Sequence, residues 1–256
     1  MSSRTVLTIA ALAALQLAVA VGISDGQTRG GGGFSQPEPI AFDDHQGWIS
    51  IFDGTSLKNW EGNPEVWRLE NGAIIGTSTA DKPSGTTYII WKGGEPKNFE
   101  LKAEMKLEGA GLNSGIQYRS TILPAQGRGG FPGLKGYQAD FDFANRYTGQ
   151  LYEQATPRGI IAWRGQVVRA EQGKRPRLLS MLGEPDELKA AVKVNDWNQV
   201  HIIARGNTLI HMINGRTMSI FIDDDATMAA AQGVIGLQIE GTGKVSFRNL
   251  WLKTYD

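Results

Sequence analysis

From Gly47 onward, apolar and polar residues alternate in short runs broken by turn residues, the period-2 signature of β-strands. Phe99 to Leu107 alternates without exception. Phe99, Leu101, Ala103, Met105 and Leu107 fall on one face; Glu100, Lys102, Glu104 and Lys106 fall on the other. This predicts a strand with one buried and one solvated face in an antiparallel sheet. Trp67 to Glu70 and Ala73 to Thr77 flank Asn71-Gly72, whose tolerance of positive φ predicts a type I′ hairpin. Trp197 to Arg205, Thr208 to Ile213 and Arg216 to Phe221, joined at Gly206-Asn207 and Asn214-Gly215, predict a three-strand meander. Gly233 to Glu240 and Lys244 to Lys253 predict a closing hairpin, with a bulge where the apolar parity shifts between Phe247 and Leu250. Leu123 to Lys135 and Arg164 to Lys193 break the rhythm and are predicted as long loops, the second with a short helix within Asp186 to Val192. With no βαβ alternation and no repeat, the predicted fold class is all-β: one two-sheet antiparallel sandwich.

One polar pattern stands apart. In Asn113-Ser114-Gly115-Ile116-Gln117-Tyr118-Arg119, strand alternation puts Gln117 and Arg119 on one face. In Gly136 to Asp142 it puts Gln138, Asp140 and Asp142 on one face, against Tyr137, Ala139, Phe141 and Phe143 on the other. Amides, a guanidinium and two carboxylates sharing a sheet face predict a surface that binds a polyhydroxylated ligand and moves protons. Carboxylates at i and i+2 stand about 7 Å apart along a strand. They can take separate roles, and their repulsion can raise the pKa of one.

Composition narrows the classes. The 26 basic and 26 acidic residues cancel, so no footprint for nucleic acid or an anionic membrane is present. There are no cysteines, which excludes disulfides, thiolate metal sites and thiol nucleophiles. The 33 glycines suit a turn-rich fold. Val6 to Ala20 is nearly all apolar after Arg4 and ends in Ala18-Val19-Ala20. It reads as a cleavable export signal over residues 1–20, the run being shorter than the roughly 20 residues a membrane span needs. Without the signal no stable span is expected, and the protein is placed in the periplasm or the medium. Residues 21–46, with Gly30 to Gly33, Pro37 and Pro39, read as a flexible linker, and residues 47–256 as a single domain.

Gly47-Trp48-Ile49-Ser50-Ile51-Phe52-Asp53-Gly54-Thr55-Ser56-Leu57-Lys58-Asn59-Trp60 resembles the opening F-x-x-L-F-(D/N)-G-x-(T/S)-L-x-x-W of the 3-keto-disaccharide hydrolase domain family. Further matches are Asn98-Phe99-Glu100-Leu101 with Glu104, Asn113-Ser114-Gly115-Ile116 with Arg119, and Gly136-Tyr137-Gln138. Beyond them come Gly149-Gln150-Leu151-Tyr152, His211 with Asn214-Gly215, and Gly233 to Gln238 with Phe247-Arg248-Asn249. The resemblance covers about residues 47–254 and implies a concanavalin-like jelly roll in exported proteins acting on glycosides oxidised at C3.

A ketone at C3 acidifies the C2 hydrogen, so a base can remove it while donors or a cation stabilise the enolate. Loss of the C1 substituent then cleaves the glycosidic bond, as lyase or, after water addition, as hydrolase. The expected catalytic set is Asp140 and Asp142 with Glu104 as base and acid, and Arg119 as enolate clamp. Asn113, Gln117 and Gln138 are expected to bind sugar hydroxyls. Tyr152 and Glu153 follow the family's Gly-x-(L/I)-Tyr segment, and His211 matches its position before Asn-Gly; these complete the substrate-binding set. No metal motif occurs, so no cofactor is expected, although Asp223-Asp224-Asp225 offers hard oxygens to a divalent cation such as Ca²⁺. The expected partner is a carbohydrate, supplied by a sugar 3-dehydrogenase. Two alternatives stand beside this one. The first is a non-catalytic sugar-binding module stacking on Trp163, Tyr118 or Tyr152. The second is an ordinary glycosidase, disfavoured because Gln138 stands where a strand-borne E-x-D-x-E motif has its first acid.

Overall fold

The computed structural model describes residues 37–125 and 130–256. The export signal, most of the linker and Gly127-Arg128-Gly129 lie outside the described residues. In the first half of the described chain the strands are β1 (Ile49–Ser50), β2 (Trp60–Gly62), β3 (Trp67–Glu70), β4 (Ala73–Ser78), β5 (Thr87–Trp91), β6 (Asn98–Ala125) and β7 (Pro132–Asp142). They continue with β8 (Leu151–Gln154), β9 (Gly159–Ala162), β10 (Gln166–Glu171), β11 (Arg177–Met181), the helix α1 (Pro185–Ala190), β12 (Asn198–Arg205), β13 (Thr208–Ile213), β14 (Arg216–Asp224) and β15 (Val234–Tyr255). No helix among the described residues is long and apolar enough to cross a membrane.

Strands β6 and β15 pair antiparallel along nearly their whole length, from Asn98 opposite Tyr255 to Ser120 opposite Val234. Each serves two sheets. The first half of β6 pairs with β12, giving the order β3-β4-β15-β6-β12-β13-β14-β10-β11. Its second half pairs with β7, and the other end of β15 pairs with β5, giving β2-β5-β15-β6-β7-β8-β9. The switch falls where Gly109, Gly241 and Gly243 all have positive φ. A Cβ on Gly241 would collide with the Gly111 carbonyl, so the backbones can approach there only without one.

One core joins the two sheets. Phe99, Leu101, Ala103, Met105 and Leu107 all point into it, as their alternation predicts. Across it, Phe99 meets Tyr118 edge-on at 6.0 Å and Tyr137 meets Phe221 at 6.3 Å. The result is a jelly-roll sandwich. Among the described residues it departs from a purely antiparallel one in a single pairing, β10 parallel to β14, because the chain returns to β10 only after passing through β11, α1, β12 and β13.

The Asn71-Gly72 hairpin forms with Glu70 opposite Ala73 and φ of 51° and 73° at the turn. The β15 bulge falls at Arg248 to Trp251, around Asn249 at φ 52°. Both predicted loops hold strands: Thr121 and Ile122 pair with Lys135 and Leu134, and β10 and β11 occupy Arg164 to Lys193 ahead of α1. Lys102, expected to face solvent, is 2% exposed. Its ammonium donates to the carbonyls of Ala41, Phe42 and Asp44 at 2.8–2.9 Å and lies 4.5 Å from the Trp48 ring. His45 stacks on Trp251 at 4.0 Å. Residues 41–46, expected in the linker, therefore lie against the outer face of the first sheet, and the compact unit begins at Ile40.

Candidate active site

Part of the polar face of β7 lines a cleft. Gln138 and Asp140 project from the second sheet into a cleft of about 280 Å³, beside Asn113 from β6, Tyr152 and Gln154 from β8, and Tyr147 and Gln150 from the loop between β7 and β8. Gln238 and Glu240 close it from β15. Beneath the Gln138 side chain lies Gly115, directly between Asp140 on one neighbouring strand and Gln238 on the other. A Cβ there would stand 2.6 Å from the Ala139 carbonyl oxygen and 2.8 Å from Gln138 Cγ. We expect Gly115→Ala to cost about 1–3 kcal/mol through overpacking and to displace the Gln138 amide. Denaturant midpoints measure it; an unchanged midpoint would show that the packing there has slack.

Amides hold the carboxylate. Gln138 Nε2 donates to Asp140 Oδ1 at 2.6 Å and to Gln238 Oε1 at 2.9 Å. Gln150 Nε2 donates to Asp140 Oδ2 at 2.5 Å. Behind them, Gln117 Nε2 donates to Gln138 Oε1 at 2.6 Å, and the Ser120 hydroxyl donates to Gln117 Oε1 at 2.9 Å. Asp140 is 6% exposed. Burial pushes its carboxyl up to about 7; the amide donors pull it down, and the negative charges of Asp142 and Glu240 raise it further. No Lys, Arg or His lines the cleft among the described residues. Glu240 accepts from the Thr86 hydroxyl at 2.9 Å and from Asn113 Nδ2 at 3.2 Å. Burial raises the Tyr152 hydroxyl, keeping it a proton donor.

Of the sequence-derived set, Asp140, Gln138, Asn113 and Tyr152 meet in the cleft, and Gln117 supports it from beneath. The others do not join them. Glu104 lies on the half of β6 that belongs to the first sheet, where it accepts from Arg248 Nε and Asn249 Nδ2, both at 2.7 Å. Arg119 has φ 47° at a register shift, so it leaves the parity of Gln117. Its guanidinium donates to the carbonyls of Lys97, Gly206 and Ala230 at 2.6–3.4 Å, tying loops together away from the cleft. Asp142 accepts from the backbone N–H groups of Arg146, Tyr147 and Thr148 at 2.7–3.0 Å and thereby builds the loop 143–148. Glu153 faces away from Tyr152, as strand alternation requires, and pairs with Arg158.

His211 is buried between the sheets, and burial lowers its pKa to about 4, so it is neutral at pH 7. Its Nδ1 faces the Gln150 carbonyl at 3.3 Å and its Nε2 faces the Tyr118 hydroxyl at 2.8 Å. A carbonyl can only accept, which places the ring proton on Nδ1 and makes Nε2 the acceptor. His211 thus supports the Gln150 backbone and does not reach a ligand. Tyr118 is a core residue, fully buried. The three consecutive aspartates diverge: Asp223 to Arg158 and Tyr137, Asp224 to Arg169 and Asn207, Asp225 to the turn at Thr227. Among the described residues no group of three His, Asp or Glu side chains is arranged to hold a metal.

Sequence reasoning missed Gln150, Gln238 and Glu240. For the last two the signal was present: Gly236, Gln238 and Glu240 share one parity, opposite Ile235, Leu237 and Ile239 in a strand otherwise fit for a core.

Two crystal structures from Parabacteroides distasonis, both assigned provisionally to the glycosyl hydrolases, share this fold. One matches with TM-score 0.52 and 16% identity over 82% of this chain and 95% of that one. The other matches with TM-score 0.51 and 19% identity over 81% and 99%. A 3-keto-disaccharide hydrolase of Bacteroides thetaiotaomicron is 32% identical over 94 residues, which are 34% of this chain and 32% of that protein. The match therefore spans about a third of that relative's length. The family model described as a 3-keto-alpha-glucoside-1,2-lyase-like domain matches residues 47–253, and the chain belongs to that family.

Proposed function

We propose that this protein cleaves 3-keto-glycosides, with Asp140 moving the proton at C2. The observation that carries the reading is the Asp140 carboxyl: buried in a polar cleft, held by amides, and lifted to about 7. A group near that value both takes and returns a proton at neutral pH.

The C3 ketone makes the C2 hydrogen acidic. As Asp140 removes it, the electron pair of the C2–H bond moves into the C2–C3 bond and negative charge gathers on the C3 oxygen. Tyr152, with the remaining N–H of the Asn113 amide, is a donor for that oxygen. Return of the charge forms the C1–C2 double bond and expels the C1 oxygen, which takes the proton that Asp140 holds and so returns the carboxylate to its starting state. Water adding across the double bond turns elimination into net hydrolysis. Glu240 accepts from sugar hydroxyls on the β15 side. Hydrolysis of an unoxidised glycoside instead needs two carboxyls about 5–5.5 Å or about 6.5–9.5 Å apart across the scissile bond. On β7, Gln138 replaces one such acid and Asp142 is committed to its loop. The relative's name, a hydrolase of 3-keto-disaccharides, and the family's description, 1,2-lyase-like, both support the keto-sugar reading.

The proposal places the protein outside the cytoplasm, in the periplasm or the medium, on the strength of the leader-like residues 1–20. It also requires a dehydrogenase that oxidises glycosides at C3. The direct test incubates the protein with a 3-keto-glucoside bearing a chromogenic leaving group, beside its unoxidised counterpart. Release from the keto form alone is expected. Equal release from both would point to an ordinary glycosidase, and release from neither to a sugar-binding module.

A further inference from the structure

We infer that Tyr147 and Trp163 form a second subsite at the mouth of the Asp140 cleft, a stacking platform for the leaving group of a substrate whose aglycone has a flat apolar face: a second pyranose or an aromatic ring. The inference rests on the keto-sugar reading of the cleft. The cleft holds about 280 Å³, below the range of about 300–1,000 Å³ that takes drug-sized ligands. One sugar ring occupies much of that space, and the group attached at C1 extends toward the mouth.

The wall there is aromatic. Tyr147 lines the cleft and packs against Trp163 with ring centroids 6.2 Å apart and planes tilted by 40°. Trp163 is 44% exposed. Strand β9, which ends one residue before it, sends Ile160 into the cleft wall.

The backbone that carries the two rings is tied down. Asp142 accepts the Tyr147 N–H at 2.7 Å, with those of Arg146 and Thr148 beside it. Arg164 donates to Asn145 Oδ1 at 3.0 Å and to the Thr148 carbonyl at 2.7 Å, closing the same loop from the other side. The Trp163 N–H donates to Gln166 Oε1 at 3.0 Å. A ring held in place before the ligand arrives loses little entropy on binding it. Asp142 is thus a positioning residue for Tyr147.

The test measures kcat/KM of the full chain and of Trp163→Ala on 3-keto forms of methyl glucoside, nitrophenyl glucoside and a disaccharide. Selectivity of the variant for the nitrophenyl glucoside and the disaccharide over the methyl glucoside should fall about tenfold, through KM, by loss of one stacking contact. Trp163→Phe should recover most of that selectivity. Selectivity unaltered in Trp163→Ala overturns the platform. If the wild type turns over none of the three, the keto-sugar reading fails, and titration calorimetry with maltose then decides the platform. Binding weakened about tenfold in Trp163→Ala supports it; equal binding by both, or binding by neither, overturns it.

Discussion

Asp140→Asn should lower kcat on a 3-keto-glucoside by about 10²–10⁴-fold while the protein stays folded, the range that a positioned general base contributes. Asparagine has the shape of aspartate and cannot take a proton. The surroundings can accept it: Gln150 Oε1 is buried without a partner. Rotation of that amide would present this oxygen to the new side-chain N–H in place of the present donor. The wild-type rate should rise with pH and level off above about 7, because the base must be ionised; the variant should lack that limb.

Stability should move the other way. The folded-state pKa of Asp140, about 7, lies above the 3.8 of an unperturbed aspartate. The folded protein thus keeps a proton that the unfolded chain has given up between those values. This group's contribution is full below about pH 4 and falls as pH rises through 7. The asparagine variant does not titrate, so at pH 8 it should exceed the wild type by roughly 1–4 kcal/mol more than it does at pH 4. Full turnover in Asp140→Asn would remove this residue from the mechanism. A stability difference independent of pH would show that its pKa is not raised.

The largest loss of stability is expected at Arg158. Its guanidinium donates to both oxygens of Glu153 at 2.6 and 2.8 Å and to both oxygens of Asp223 at 3.0 and 2.8 Å. Each of those carboxylates is 2% exposed at its side chain. The Tyr137 hydroxyl donates to Asp223 at 2.6 Å and accepts the Ala230 N–H at 3.0 Å. The cluster thus joins β7 and β8, which carry the cleft, to β14. Arg158→Met should leave two buried carboxylates facing each other and cost about 3–5 kcal/mol. Adding Glu153→Gln and Asp223→Asn to that variant should recover most of the loss, since the penalty belongs to unpaired charge and not to missing volume. Denaturant unfolding of the single and triple variants measures both; a triple variant no more stable than the single would locate the cost in packing instead.

Local chemistry made much of the fold legible. The alternation of Phe99 to Leu107 names its core face, Asn71-Gly72 its hairpin, and the parity change before Leu250 its bulge. Pairing on β7 made Gln138 and Asp140 legible in the same way. Lys102 shows the limit. Its parity places it correctly on the outer face of its strand, yet nothing in the alternation announces that residues 41–48 cover that face.

By itself, then, the amino-acid sequence determined the all-β class, the turns, the family and the strand that bears Asp140, because each depends on neighbours within a few positions or on a recurring motif. Which of the predicted carboxylates stands in the cleft was decided only by the tertiary structure. Parity states the side of a strand, but not which sheet that stretch joins or what lies across from it. Glu104 and Asn113 share β6 and end in different sheets. Arg119 leaves its expected face at a single positive φ. Gln238, opposite Gly115, and Glu240, opposite Asn113, reach the cleft of Asp140 only because β15 pairs with β6. Burial among those long-range partners is also what lifts Asp140 to about 7, a property of the assembled cleft that no local pattern carries.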